Sequence, residues 1–321
     1  MTKPKIVCTG PIDQEASIIL EPYGPILVAP DHTEQSILPL LDEAVGLIVR
    51  GEGEANANII EAANHLKVIG RSGVGYNNVD VKAATARGIP VIFTPGANAK
   101  AVAEAAITLM LAMCKRIVFW DEQLKCGNWT VRDSHRNGDL DGATLGIIGF
   151  GRIGQSLAKV AAAFDMRILA YDPFVDAERA EQLSVELVEL NELLGQSDFV
   201  SLHAAQTDDN RGMINSARLK QFKQGSYLVN LARGELVKNL DVLYESLTNG
   251  QLGGVALDVF HPEPPDISHP IFKLSNCLTA PHSLGMTSRA MKRIFTMMAE
   301  DMVAVMQGRR PRNVVNPEVL S

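Results

Sequence analysis

Short apolar, β-branched runs alternate with helix-patterned stretches along almost the whole chain, and this alternation narrows the choice of fold more than any other feature. Strand, helix, strand in repetition is the pattern of a parallel sheet covered by helices on both faces. In the first third the runs fall at 5–8, 26–29, 45–49, 67–69 and 90–93, with helical stretches such as 54–65 between them, where Ile59, Ile60 and Ala63 share a face. Five such strands suit a flavodoxin-like unit. A second series at 144–149, 166–171, 199–203, 226–231, 253–259 and 277–280 supplies six, the number used by a dinucleotide-binding domain.

The two series are joined by one long helical pattern from 97 to 126, stopped at Gly127, and by a polar stretch over 128–142 with no period. A last helical pattern, 288–307, follows the final strand and is expected to pack back on the first series. The expected architecture is therefore α/β with two doubly wound parallel-sheet domains. One is a flavodoxin-like domain formed by 1–97 plus 287–321, and the other is a Rossmann domain over 98–286. A length of 321 residues agrees with about two domains.

Composition removes several function classes. The net charge is −7 and neither half of the chain is strongly basic, which speaks against nucleic acid as the partner. The tight cluster Arg309, Arg310, Arg312 reads as cations at the end of the helix before Gly308. The four cysteines form no C-x-x-C pair, so no metal site is expected and reduced thiols in a cytoplasmic protein fit best. The N-terminal MTKPKIVCTGPIDQ lacks the apolar core of a signal peptide. The apolar stretch 101–120 contains Glu104, Lys115 and Arg116, and its uncharged run of about ten residues is too short to span a bilayer.

Gly149-Phe150-Gly151-Arg152-Ile153-Gly154 is a G-x-G-x-x-G sequence fed by an apolar strand and followed by a helical pattern with Ile153, Leu157, Val160, Ala161 and Phe164. A second strand then ends at Asp172, eighteen positions after Gly154. That context, rather than the glycines, makes the sequence specific for a dinucleotide. Gly149 permits the tight turn, Gly151 lets backbone approach the pyrophosphate, and Gly154 lets helix and strand pack closely. A carboxylate at Asp172 accepts the ribose hydroxyls and repels a 2′-phosphate, so NAD is expected over NADP.

Charged or titratable residues follow the last three strand patterns: Arg233, then Asp258 and Glu263, then His282. Ligands of open α/β sheets bind beyond the strand C-termini, so these residues are candidates for one site. A histidine is the usual base for a hydroxyl proton near neutral pH, and a planar guanidinium matches a carboxylate bidentately. His203 also ends a strand and reads as structural.

The segments LGIIGFGRIGQ, VNLARGELV, GGVALDVFHPEPP and LTAPHSLG, with KVIGRSGVGYNNVD and TPGANAKAVAE before them, resemble the D-2-hydroxyacid dehydrogenase family in order and spacing. The closing VVNPEV is similar to the 3-phosphoglycerate dehydrogenase branch, in a short form without the appended regulatory domain. The resemblance implies a cleft between two domains and hydride transfer between NAD and C2 of a small 2-hydroxy or 2-keto acid, D-3-phosphoglycerate among the candidates. It implies that Arg233 binds the substrate carboxylate, that His282 is the general acid/base, and that Glu263 hydrogen-bonds the imidazole and fixes its tautomer. It also implies that the amides of Val74 and Gly75 cradle the carboxylate and that Arg152 and Ile153 face the pyrophosphate. Leu231, Ala232, Arg233, Asp258, Pro281, His282 and Gly285 would line the nicotinamide side. A homodimer with helix 101–120 at its interface is implied as well.

Two departures from the family pattern stand out. After His203 the chain reads Ala-Ala-Gln-Thr where relatives commonly carry a proline, and after Arg50 it reads Gly51-Glu52 where the phosphoglycerate branch has small hydroxyl residues. Arg50, Arg71 and Arg132 remain candidates for a substrate phosphate. Rival readings are a glyoxylate or hydroxypyruvate reductase, an NAD-sensing corepressor-like binding protein, and the formate dehydrogenase branch, which carries an amide where this chain has Glu263.

Overall fold

The computed structural model describes residues 4–175 and 177–320. The chain divides into two compact units, one comprising residues up to Asn98 and from Met286 onward, the other Ala99–Gly285.

The first unit is built on β1 (Lys5–Cys8), β2 (Ile26–Val28), β3 (Ala44–Val49), β4 (Val68–Arg71) and β5 (Val91–Ile92). All neighbours are parallel, in the order β2-β1-β3-β4-β5, the flavodoxin-like order. Alternation along the strands feeds two cores. Val7, Leu47, Val49 and Ile69 meet Ile37, Ile59, Ile60 and Ala84 on one face. On the other, Ile6, Cys8, Ile48 and Val68 meet Ala16, Leu20, Phe295, Met298 and Met302. The last three lie on the C-terminal helix Ser288–Met306, so the end of the chain does return to the first sheet.

Beyond that helix the tail is fixed by two buried side chains. Asp301 accepts the amides of Arg312 and Asn313. Asn316 accepts the Val91 amide at 2.8 Å and donates to Ile89 and Thr85 at 3.0 Å each. With the Val315 amide donating to the Val91 carbonyl at 2.8 Å, both backbone groups of Val91 at the β5 edge are paired.

The second unit carries β6 (Thr144–Ile148), β7 (Arg167–Tyr171), β8 (Glu186–Leu187), β9 (Phe199–Leu202), β10 (Ser226–Asn230), β11 (Leu252–Leu257) and β12 (Cys277–Thr279). They form one parallel sheet in the order β12-β11-β10-β9-β6-β7-β8. This is the doubly wound dinucleotide-binding order with one strand more than the six the apolar runs suggest. The extra one is β8, two exposed residues paired with Leu169 and Ala170 at the sheet edge. Lying outside the core, it has no apolar run to betray it.

The joining helix is broken where the sequence suggests continuity. Helix Ala99–Cys114 is largely buried against helix Arg152–Ala162 and its sheet face, and a separate helix Ile117–Lys125 follows. Between them Arg116 adopts a left-handed conformation with φ 52°. The Cys114 carbonyl, which would accept from the next turn of a continuous helix, instead accepts the Gly138 amide at 2.9 Å. Helix Ile117–Lys125 buries no residue, and Ile117, Val118, Leu124 and nearby Trp129 are exposed. Residues 101–114 pack most of their apolar side chains inside this unit, so the large exposed hydrophobics of 101–120 are Ile117 and Val118.

Candidate active site

The strand order of the second unit aligns the sequence candidates. Arg233 follows β10, Asp258 follows β11 and His282 follows β12, three adjacent parallel strands. The glycine loop follows β6, separated from β10 by β9 alone, and Asp172 follows β7 on its other side.

In the glycine loop, Gly149 has φ +93° and a Cβ there would lie 2.3 Å from the Ala204 amide nitrogen. Gly151 is different. Its φ is −73°, and a Cβ built on it meets nothing within 4 Å. Folding therefore does not demand glycine at 151, and the space beside its Cα is open, as the approach of a pyrophosphate would require. Gly151 caps helix Arg152–Ala162, whose first amides lack intrahelical acceptors and suit an anion. Asp172 holds this loop as well as ending β7: its carboxylate accepts the Phe150 amide at 2.8 Å and the Phe174 amide at 2.9 Å. These residues fit a dinucleotide. Gly151, Arg152 and Ile153 would hold the pyrophosphate and Asp172 the ribose.

Toward the β12 edge of the sheet, His282 Nδ1 and Glu263 Oε2 are 2.9 Å apart. Glu263 is itself anchored, its Oε1 accepting the Phe260 amide at 2.9 Å in a turn with two cis X-Pro bonds. Nδ1 therefore carries the proton donated to the carboxylate, which leaves Nε2 as the ring nitrogen not engaged by Glu263. His282 has φ 52°, and its side chain is 53% exposed, so Nε2 is within reach of a ligand. Buried Asp258 supports this backbone. Its carbonyl accepts the His282 amide at 2.8 Å, and its carboxylate accepts the amides of Ser283 at 2.9 Å and Leu284 at 3.2 Å. Burial raises the Asp258 pKa above the usual carboxylate value, against the pull of the two amides.

Arg233 is held by a residue that the sequence patterns do not single out. Asn230, fully buried at the end of β10, accepts the Ala232 amide at 3.1 Å and donates to the Arg233 carbonyl at 2.9 Å. A polar residue closing the apolar run YLV is the one signal for it. Leu231 and Ala232 are buried between these ties, and Pro281 and Gly285 flank the His282 loop.

Val74 and Gly75 lie in the first unit, in the loop after β4. Arg71 donates to the Ser72 carbonyl at 2.9 Å and to Asn78 at 3.4 Å, within that same loop region. Arg50 donates to the Pro11 carbonyl and lies over the Phe295 ring at 5.3 Å. Arg132 lies over Trp129 on the exposed segment of the second unit. Among the described residues no cluster of His, Cys, Asp and Glu could hold a metal ion.

The structural reading of His203 gives a pH prediction. Its Nε2 is 2.8 Å from Ser201 Oγ, while Nδ1 is buried and unpartnered, and burial pushes the pKa from 6.5 down to about 4. Between those values the unfolded chain binds the proton and the folded chain does not. The contribution is then complete above pH 6.5 and is lost as pH falls toward 4, with a slope of up to about 1.4 kcal/mol per pH unit. Denaturant unfolding at stepped pH should show a shallower acid decline for His203→Asn than for the parent, and identical declines would contradict this.

The comparisons with known proteins bear on the same features. Residues 107–283 match the family model of the D-isomer specific 2-hydroxyacid dehydrogenase NAD-binding domain. The chain belongs to the D-2-hydroxyacid dehydrogenase family. It is 41% identical to a D-3-phosphoglycerate dehydrogenase of Methanocaldococcus jannaschii, over 97% of this chain and 59% of that protein. It is 38% identical to a hydroxypyruvate reductase of Thermotoga maritima, over 94% of this chain and 97% of that protein. A solved structure of a Thermus thermophilus protein superposes with a TM-score of 0.90 at 34% identity, covering 97% of this chain and 99% of that one. The chain thus spans between about half and three fifths (52–59%) of the phosphoglycerate dehydrogenases that it matches, but nearly the full length of the reductase. NAD is the dinucleotide of the matched domain, and among the described residues no helix is long and apolar enough to cross a membrane.

Proposed function

We propose that the protein reduces a small, unphosphorylated 2-keto acid to the corresponding D-2-hydroxy acid at the expense of NADH, with D-specificity taken from the family. The observation that carries this reading is the Glu263–His282 contact, which leaves an imidazole nitrogen accessible in the same sheet whose β10 end carries Arg233. A protein that only sensed NAD would have no need of an oriented acid/base pair, so the contact favours turnover over a corepressor-like role.

In the proposed reaction Arg233 grips the substrate carboxylate bidentately and draws charge toward the C2 oxygen. Bound NADH supplies the hydride to C2. His282, protonated on both nitrogens, gives the Nε2 proton to the forming alkoxide, and Glu263 keeps the ring in the orientation that allows it. In the reverse direction the neutral imidazole takes the hydroxyl proton. Leu231, Ala232, Asp258, Pro281 and Gly285 form the proposed nicotinamide wall.

Three features support an unphosphorylated substrate. Arg50 and Arg71 already donate to backbone or side-chain acceptors within the first unit, Arg132 lies over Trp129 and 3.8 Å from the Asp133 carboxylate, and Glu52 brings an 86% exposed carboxylate to the segment after Arg50. Steady-state turnover with hydroxypyruvate, glyoxylate, pyruvate and 3-phosphohydroxypyruvate tests the reading. Higher kcat/KM for an unphosphorylated acid is expected, and a clear preference for 3-phosphohydroxypyruvate would overturn it.

The glycine loop gives a separate test of the cofactor site. Gly151→Ala should unfold at the parental temperature yet bind NADH much more weakly, because its added methyl meets only the ligand. Gly149→Ala should lower the melting temperature, since its methyl meets backbone. Parental NADH affinity in Gly151→Ala would contradict the assignment.

Use of NADH and the four free cysteines support a cytoplasmic location. We also propose a homodimer through the exposed apolar residues Ile117, Val118, Leu124 and Trp129. Light scattering should give the dimer mass for the parent and a smaller mass for Leu124→Glu; a monomeric parent would rule this out.

A further inference from the structure

We propose that Glu189 and Glu192 act with Asp172 as cofactor-selecting residues that exclude the 2′-phosphate of NADP. The inference rests on the assignment of the dinucleotide site, and it starts from the strand that the sequence does not reveal. Strand β8 pairs with β7 through Leu169–Glu186 and Ala170–Leu187, and the Val188 amide donates to the Ala170 carbonyl at 3.0 Å. This pairing carries the chain directly to Glu189 beside the end of β7, where a dinucleotide-binding sheet receives the adenosine ribose.

An open depression of about 480 Å³ lies there, lined by Asp172, Pro173, Leu187, Val188, Glu189 and Glu192 among others. Among the described residues, the charged groups lining it are the carboxylates of Asp172, Glu189 and Glu192, and no lysine or arginine lines it. Glu189 precedes helix Leu190–Gln196, and Glu192, in its first turn, accepts from Gln196 at 3.0 Å. The arginine closest in sequence after Asp172 is Arg179, whose guanidinium donates to Gln155 at 3.0 Å and to Gln182 at 3.4 Å. Asp172 accepts the amides of Phe150 and Phe174, which fix its position and leave lone pairs on both oxygens for a ribose hydroxyl. A 2′-phosphate entering this depression would meet three negative charges and no lining cation. A ribose 2′-hydroxyl brings no charge into that field.

Direct binding measurements test this without requiring turnover. Calorimetric titration of NADH and NADPH should show that the parent prefers NADH. In the double variant Glu189→Gln with Glu192→Gln, the NADPH Kd should fall about threefold to tenfold at low ionic strength, narrowing the preference, and the narrowing should shrink as salt screens the exposed charges. Glu186→Gln is the control: that residue sits on β8 paired with Arg167 and does not line the depression, so the ratio of the two affinities should stay parental. An unchanged ratio in the double variant, or an equal change in Glu186→Gln, would overturn the proposal while leaving the cofactor site standing. Binding of neither nucleotide by the parent would overturn both.

Discussion

Replacing His282 by Asn should lower kcat for keto-acid reduction by about a hundredfold to ten-thousandfold, the range for loss of a positioned general acid. Asparagine is the informative substitution here. His282 holds φ 52°, a conformation that Asn tolerates better than Ala, so the loop fixed by Asp258 should survive. The side chain that remains has no proton to give in the working pH range. NADH affinity should change far less than kcat, because the glycine loop stands on a different strand. Glu263→Gln should cost less than His282→Asn, since the amide oxygen can still accept from Nδ1 and hold the ring. Near-parental turnover in His282→Asn would remove the histidine from the mechanism.

Arg233→Lys should lower kcat/KM for the keto acid about tenfold to a hundredfold, and Arg233→Met should cost more. Lysine keeps the charge but replaces two parallel hydrogen bonds by one, and a hydrogen bond to a charged group contributes about 1.5–3 kcal/mol. The expected loss appears in KM as well as kcat, because the same contact binds the carboxylate and polarises the carbonyl. Folding should be little affected. The backbone at 231–233 is tied by Asn230, and the Arg233 guanidinium makes only a local bond to the Ala232 carbonyl at 2.7 Å. Melting curves should therefore overlay while kinetics separate. An Arg233→Met enzyme with parental kcat/KM would show that the carboxylate binds elsewhere.

Every strand but β8 coincides with an apolar run to within a residue or two at its ends, because a parallel sheet buried on both faces must be written as apolar residues. The glycine loop is legible for a related reason: backbone approach to another backbone or to a phosphate leaves only glycine, as the 2.3 Å contact at Gly149 illustrates. What escapes the sequence depends on partners far away in the chain. Helix 97–126 reads as continuous until the Gly138 amide claims the Cys114 carbonyl. Strand β8 is two exposed residues with no pattern of their own. Asn230 and Asp258 look like an ordinary strand end and a wall residue, yet each ties two or three backbone groups that set the loops of Arg233 and His282. The side chains proposed to react can be picked out by their chemistry, whereas the residues that position their loops become visible only when the hydrogen bonds are traced.

If these strand-end residues together bring about hydride and proton transfer on a 2-keto acid, NADH absorbance and product must change together when the purified protein meets hydroxypyruvate. One D-2-hydroxy acid should form for each NADH consumed, with both signals abolished or nearly so in His282→Asn. NADH bound but not oxidised, with hydroxypyruvate, glyoxylate and pyruvate all left unchanged, would contradict it.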